Sequence, residues 1–161
     1  LGLKFDNGTI KQQKIQKLRL IEPDSHELAF PDVKFSSVLN LPSSDFQKII
    51  RDLSVISDKI EIKSIATSDG VELIFKCTGG FANAEIRRAE SDGNMSFITK
   101  QLPSRIIQGE FFLKNLSYFI KCTNLCNQIE LFLENNLPLV VKYNVASLGV
   151  IMLALAPILS S

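Results

Sequence analysis

Four cations, Lys48, Arg51, Lys114 and Lys121, have the spacing in this sequence that could do chemistry, and that chemistry is contact with phosphate. In SSDFQKIIRDLSVISDKIEI, residues 43–62, Phe46, Ile49, Ile50, Leu53 and Ile56 recur at three-and-four spacing, which predicts a helix with one buried stripe. At about 100° per residue, Lys48 and Arg51 fall opposite that stripe. Further on, Leu113, Leu116, Phe119 and Ile120 predict a second stripe on a helix from about Leu113 to Thr123. Lys114 and Lys121 share its other side, where no Asp or Glu stands. A plane of lysine and arginine suits sequence-independent contact with phosphates and needs no base-reading groups. Ordinary solvated helix faces are the competing reading of the same charges.

No other constellation suggests chemistry of its own. Cys77, Cys122 and Cys126 lack paired C-x-x-C spacing, and the single histidine, His26, stands far from them, so neither a zinc site nor a disulfide framework is expected. Reduced cysteines acting as small hydrophobes are the simpler reading. Asp52, Asp58, Asp69 and the pair Glu130 and Glu134 read as helix-end, turn and strand-surface charges, so catalysis is not expected. No cofactor or metal is expected either.

The elements that must position the cations follow from the rest of the chain. With 161 residues, 45% apolar and 22% charged, the sequence can build one sizeable core. Eighteen Lys and Arg against 17 Asp and Glu leave no strong overall positive field, so any basic function must come from local placement. The most apolar stretch, Leu148 to Leu159, is shorter than the ~20 residues a membrane helix needs and contains Pro157; a buried strand explains it better. The sequence opens inside an apolar alternation without Met, as a piece of a longer protein would.

Strands are predicted at Gly2 to Phe5 and Gln13 to Leu20, joined at Asp6-Asn7-Gly8 as a hairpin. EPDSHELAFPD fits neither helical nor strand periodicity and reads as a surface connector. A regular order follows: a strand at Phe35 to Leu41, a helix from Ser43 with Ser43 or Ser44 as N-cap, and strands at Lys59 to Ala66, Val71 to Cys77 and Ala82 to Ala89. About 70 residues later the order returns: a strand at Arg105 to Gly109, the second helix, then strands at Gln128 to Leu133, Leu139 to Tyr143 and Gly149 to Leu155. KIEIKSI…DGVELIFKC and QIELFLENNLPLVVKYN are similar in sequence as well as in order. The expected fold is α+β, two βαβββ units with a helix pair backed by antiparallel sheet. Arg51 then corresponds to Lys121, and both helices present their basic faces in the same direction.

Four stretches, in order, resemble the DNA sliding clamps of the eukaryotic and archaeal type, the proliferating cell nuclear antigen family: LAFP, LPSSDFQKIIRDLSVISDKIEI, LPLVVKYNVASLG and LALAPIL. The resemblance covers nearly the whole chain. It implies the DNA clamp fold, with the last strands of a first clamp domain at 1–20, an interdomain connector at 21–37 and a second clamp domain at 38–161. It further implies a homotrimeric ring around double-stranded DNA, acting in the nucleus as a processivity factor for DNA polymerase in replication and repair, opened by a clamp loader and inserted in no membrane. Helices line the hole of such a ring, which makes Lys48, Arg51, Lys114 and Lys121 the expected DNA-facing residues.

The family docks client peptides in an apolar pocket beneath the connector. The matching positions here are Leu28, Phe30, Pro138, Ala154, Ala156, Pro157 and Leu159. Leu28 and Phe30 are apolar residues on a proline-flanked loop, as partner sites tend to be. Subunits of such rings join through strand edges, here Gln12 to Leu20 and Phe81 to Ala89, and Gly79-Gly80 reads as a turn or bulge before the latter. The chain departs from the family in its near-neutral charge, its Ser160-Ser161 end, Ala154 where an aromatic is common, and Thr67 or Ser68 in place of a loop lysine. Those departures suit a divergent or viral-like clamp or a specialised paralogue. A subunit of a heterotrimeric DNA-damage checkpoint clamp and a non-DNA interaction domain are the rival readings.

Overall fold

The computed structural model describes residues 1–20, 33–68, 70–103 and 105–158. The chain forms two compact units, Leu1–Val33 and Lys34–Ser161. The first is a hairpin of β1 (Gly2–Asn7) and β2 (Gln12–Lys17), paired from Gly2↔Lys17 to Asn7↔Gln12. The reversal is a four-residue loop, Gly8 to Lys11, rather than the tight turn expected at Asp6-Asn7-Gly8, and Lys11 takes the left-handed conformation at φ 49°. Leu1 and Leu18 extend the pairing through two further backbone bonds of 2.8 and 3.0 Å.

In the second unit β3 (Ser37–Pro42) leads into α1 (Ser43–Ser54), followed by β4 (Lys59–Thr67), β5 (Gly70–Thr78) and β6 (Asn83–Ala89). A short β7 (Ser96–Thr99) intervenes before β8 (Ile106–Phe112), α2 (Leu113–Phe119), β9 (Gln128–Leu133), β10 (Leu139–Val145) and β11 (Gly149–Leu155). The duplicated βαβββ order is therefore present. The strands build two antiparallel sheets, β11-β10-β9-β3-β7 and β6-β5-β4-β8. Each repeat lends its first strand to the other: β3 pairs with β9 from Ser37↔Leu133 to Pro42↔Gln128, and β8 pairs with β4 from Lys59↔Phe112 to Ile65↔Ile106. The helix starts follow the same exchange. The Ser43 N–H donates to the Asn127 carbonyl at 3.0 Å, and the Leu113 N–H to the Asp58 carbonyl at 2.9 Å. The two repeats thus interlock about a pseudo-twofold axis.

Period-two burial on the strands and three-and-four burial on the helices meet in one core. Ile60 and Ile62 of β4, Leu39 and Leu41 of β3, and Ile129, Leu131 and Leu133 of β9 pack in one cluster with Phe46, Ile49, Ile50 and Leu53 of α1 and Leu113, Leu116 and Phe119 of α2. Phe46, Ile50 and Leu53, at most 1% exposed, contribute about 1.5–3 kcal/mol apiece. Ile56 lies past the end of α1 and packs half-buried against the same cluster. Ser37, Ser64 and Gln101 form a buried polar chain within this core, with Ser37 Oγ 3.1 Å from Ser64 Oγ and Gln101 Nε2 3.0 Å from it.

Two helical expectations are corrected. Neither Ser43 nor Ser44 caps α1: the N-cap position is Pro42, and Ser43 is buried as the first helical residue. Its hydroxyl instead reaches the Cys126 carbonyl at 2.6 Å and the Thr123 carbonyl at 3.2 Å, tying α1 to the end of the other repeat's helix. The second helix does not run α-helical to Thr123. It tightens at Ile120–Leu125 into a 3-10 segment, where Ile, Cys, Thr and Asn have poor α-propensity and the Thr123 hydroxyl bonds the Ile120 carbonyl at 2.6 Å. The buried Tyr143 hydroxyl donates to the Phe119 carbonyl at 2.9 Å, and burial holds its pKa above the ordinary phenol value.

Candidate nucleic-acid interface

The helix pair sets the geometry. Asp45 in the first turn of α1 and Arg51 in its last complement the helix dipole, and α1 packs beside α2 and the 3-10 segment that extends it. Between them runs an open groove lined by Gln47, Arg51 and Ser54 from one repeat and Ser117, Ile120, Lys121 and Asn124 from the other. The lining repeats across the pseudo-twofold: Gln47 answers Ser117, Arg51 answers Lys121, and Ser54 answers Asn124. The Gln47 side chain spans the groove floor to the Ile120 carbonyl at 3.3 Å.

Lys48, Arg51, Lys114 and Lys121 are all exposed, and none of them forms an ion pair with a described residue. The structure brings Arg51 and Lys121 into one groove. Lys48 and Lys114 lie on the same two helices outside its lining. Lys121 stands on the 3-10 segment rather than on α2, and its ammonium lies 5.0 Å from the centroid of the Tyr118 ring. α1 also carries two carboxylates: Asp45, paired with Arg88 at 3.5 Å, and Asp52, beside Arg51, which is exposed and has no described ion-pair partner.

Most cations of the second unit's sheets are treated differently, although Lys76 on β5 is exposed without a described ion pair. On the four-stranded sheet Lys59 pairs with Glu110 at 3.6 Å, Lys63 with Glu61 at 3.0 Å, and Arg87 with Glu85 at 2.7 Å and Glu72 at 3.6 Å. Among the described residues, every cation in an ion pair belongs to a strand or a strand-flanking loop. Such exposed pairs add little stability, but they cancel charge locally. Lys48, Arg51, Lys114 and Lys121 therefore make the helix pair the part of the second unit where unpaired cations gather, with Lys34 and Lys76 standing apart from it in sequence.

Of the expected peptide-pocket residues, Leu28, Phe30 and Leu159 lie outside the described residues. Ala154 is exposed on β11 opposite Val140, Pro138 is half-buried just before β10, and Ala156 and Pro157 follow β11. Ala154 ends an apolar row across the five-stranded sheet, Val38, Phe132, Val140 and Ala154 in register, with Phe35 edge-on to Phe132 at 5.6 Å. Sequence reading missed Val38, Phe132 and Val140. Consecutive apolar residues in LFL and LVV, where a one-sided strand would alternate, were the available signal. Pro157 and Ile158 turn instead along β8, where the Ile158 N–H donates to the Glu110 carbonyl at 2.8 Å.

That bond helps close one sheet edge. The Asn135 amide accepts from the Gln108 N–H at 2.8 Å and donates to the Ile106 carbonyl at 3.0 Å, occupying the rest of β8 as a strand would. The opposite edge of this sheet, β6, has no such cover among the described residues.

Glu134 fixes the chain where β3 and β8 begin. Its carboxylate accepts from the Ser36 N–H at 3.0 Å, the Ser36 hydroxyl, the Asn135 N–H at 3.0 Å and Arg105 at 2.7 Å. Burial alone raises its pKa, but the Ser36 and Asn135 hydrogen bonds and Arg105 outweigh it and hold the carboxyl below its ordinary 4.5. A lowered folded-state pKa stabilises the fold above the unfolded value and loses that contribution as pH falls through the folded one. Glu134→Gln is expected to cost about 2 kcal/mol at neutral pH. In urea titrations across pH, the gap from wild type should begin to narrow near pH 4.5 and close as pH falls through the lower folded-state value; a gap undiminished in strong acid would refute the assignment.

The described residues include no group of three His, Cys, Asp or Glu able to hold a metal ion, and Cys77, Cys122 and Cys126 are free thiols. Glu130 is tied to Lys142 at 3.0 Å and Asn144 at 2.8 Å.

Comparison with known proteins bears on what the helix face meets. The family model for proliferating cell nuclear antigen, C-terminal domain, matches residues 29–158. The probable DNA polymerase sliding clamp 1 of Paramecium bursaria Chlorella virus 1 is 30% identical over 143 residues, 89% of this chain and 53% of that protein. The probable DNA polymerase sliding clamp of Acanthamoeba polyphaga mimivirus is 33% identical over 157 residues, 98% of this chain and 32% of that protein. The chain thus spans about half the length of the first relative and about a third of the second.

Proposed function

The chain belongs to the proliferating cell nuclear antigen family, and from that premise we propose that it is part of a DNA sliding clamp, a non-enzymatic processivity factor that encircles duplex DNA for a polymerase. One observation carries this reading: the four helix cations stand unpaired, Arg51 and Lys121 in one groove, while five of the six cations on the second unit's strands, all but Lys76, pair with carboxylates. Free cations release counterions when they meet phosphate, whereas paired ones must first give up a partner. A near-neutral protein that leaves cations unneutralised on its helix face binds the backbone weakly and without register, which suits a ring that must slide.

The open β6 edge supports closure into a homotrimer, since an uncovered strand offers backbone donors and acceptors to another subunit while β8 is already occupied. Exposed Ala154 with half-buried Phe132 and Pro138, backed by buried Val38 and Val140, supports docking of client peptides on the five-stranded sheet. Loading by a clamp loader, a role in repair and a nuclear setting belong to the same proposal and rest on the family resemblance.

Encirclement is tested topologically. The full-length protein, loaded on nicked circular plasmid, should stay bound through gel filtration in moderate salt and be lost when one restriction cut linearises the plasmid. Equal retention on the two forms would overturn the ring. Light scattering separates a homotrimer from a checkpoint-type subunit that needs different partners.

A further inference from the structure

The two repeats differ at two positions of the basic face, one of them being Lys114 where the other repeat has Ser44. Because Ser43 and Leu113 make matching hydrogen bonds, Tyr118 stands where the other repeat has Lys48, and Lys121 stands where it has Arg51. Tyr118 is 53% exposed, and its hydroxyl has no hydrogen-bond partner among the described residues. The Lys121 ammonium lies over its ring, 5.0 Å from the centroid, within the ~6 Å over which a ring face attracts a cation.

The pairing answers a difference between the two cations of the groove. Arg51 ends in a rigid planar fork that is already organised for a phosphate. Lys121 ends in a point charge on a flexible stem, and that freedom is lost when an anion binds. We infer that Tyr118 is a positioning residue for Lys121, its ring face holding the ammonium toward the groove so that phosphate meets a partly ordered cation. The inference rests on the DNA-facing reading above and deepens it.

The test measures anisotropy of a labelled linear duplex against the full-length protein over a salt series, with Tyr118→Phe, Tyr118→Leu, Lys121→Ala and the Leu/Ala double variant. Tyr118→Leu should weaken binding roughly two- to five-fold, Tyr118→Phe should retain it, and Tyr118→Leu should cost nothing further once Lys121 is gone. Lys121→Ala should also reduce the salt slope by about 0.9, while Tyr118→Leu, which removes no charge, should leave the slope unchanged. Additive losses from Tyr118→Leu and Lys121→Ala, or a Phe variant as weak as the Leu variant, would overturn the inference and spare the DNA-facing reading. A Lys121→Ala protein with unchanged affinity and slope would overturn both.

Discussion

Replacing Lys48, Arg51, Lys114 and Lys121 together by alanine is expected to weaken duplex binding about tenfold or more at ~0.1 M salt, and to flatten the dependence of log K on log salt by about 0.9 for each phosphate that is no longer neutralised. The four side chains are exposed and have no described ion-pair partner, so their removal leaves no buried charge stranded. Denaturant midpoints should move by no more than the equivalent of about 0.5 kcal/mol. The informative control removes charge from the sheet instead: Lys59, Lys63 and Arg87 to alanine. Those cations already face Glu110, Glu61, Glu85 and Glu72, so their loss should leave affinity and slope near wild type. Were both triple and quadruple variants to weaken binding in proportion to net charge, attraction would be a diffuse property of the molecule and the helix face would have no special role.

The contrast between the two surfaces also explains which parts of the site were legible in the sequence. Helical periodicity is a local property, so the stripes Phe46, Ile49, Ile50, Leu53 and Leu113, Leu116, Phe119, Ile120 point inward as expected and leave the four cations outside. What the cations meet is only partly local. Glu61 and Lys63, like Glu85 and Arg87, stand two apart on one strand and so share a face, whereas Lys59 meets Glu110 and Arg87 meets Glu72 across paired strands, which spacing alone does not show.

The same division holds for the fold. The repeat was visible because KIEIKSI and QIELFLE carry the same alternation at the same place after each helix. The exchange of β3 and β8 between the repeats was not, because a strand's pattern names its buried face and not its neighbour. β7 escaped notice because SFIT is four residues with one half-buried position, too short to show a period. Ser43 looked like a cap because its type suits one; the buried carbonyls of Thr123 and Cys126, contributed by the other repeat, claimed its hydroxyl instead. Lys121 was placed on an α-helix that tertiary contacts shorten. Of the peptide pocket, LAFP and the final Leu159 fall outside the described residues, while the apolar row behind Ala154 needed cross-strand register to be seen.

A single methyl group at Gly79 is expected to cost about 3 kcal/mol or more, although glycine pairs on loops usually tolerate such a change. A β-carbon built there lies 1.9 Å from the Ile56 carbonyl oxygen and 2.9 Å from its carbon, so the obstacle is backbone, which cannot rotate away as a side chain can. Both sides of this close approach are held. Ile56 is fixed by its N–H to the Leu53 carbonyl at 3.0 Å, and Gly79 by its N–H to the Ala82 carbonyl at 2.9 Å at the entry to β6. Relief would require moving either the end of α1 or the run into the open sheet edge. At Gly80 a β-carbon meets nothing within 4 Å, and this glycine is not among those with positive φ. Gly80→Ala should therefore be neutral or stabilising by about 0.4–1 kcal/mol through the unfolded chain. Urea titrations should show a lowered midpoint for Gly79→Ala and an unchanged or raised one for Gly80→Ala, at unchanged slope. Since β6 is the edge proposed to meet the next subunit, Gly79→Ala should also weaken self-association in light scattering, whereas Gly80→Ala should not. A Gly79→Ala protein as stable as wild type would mean that Ile56 and the β6 turn do not hold this close approach.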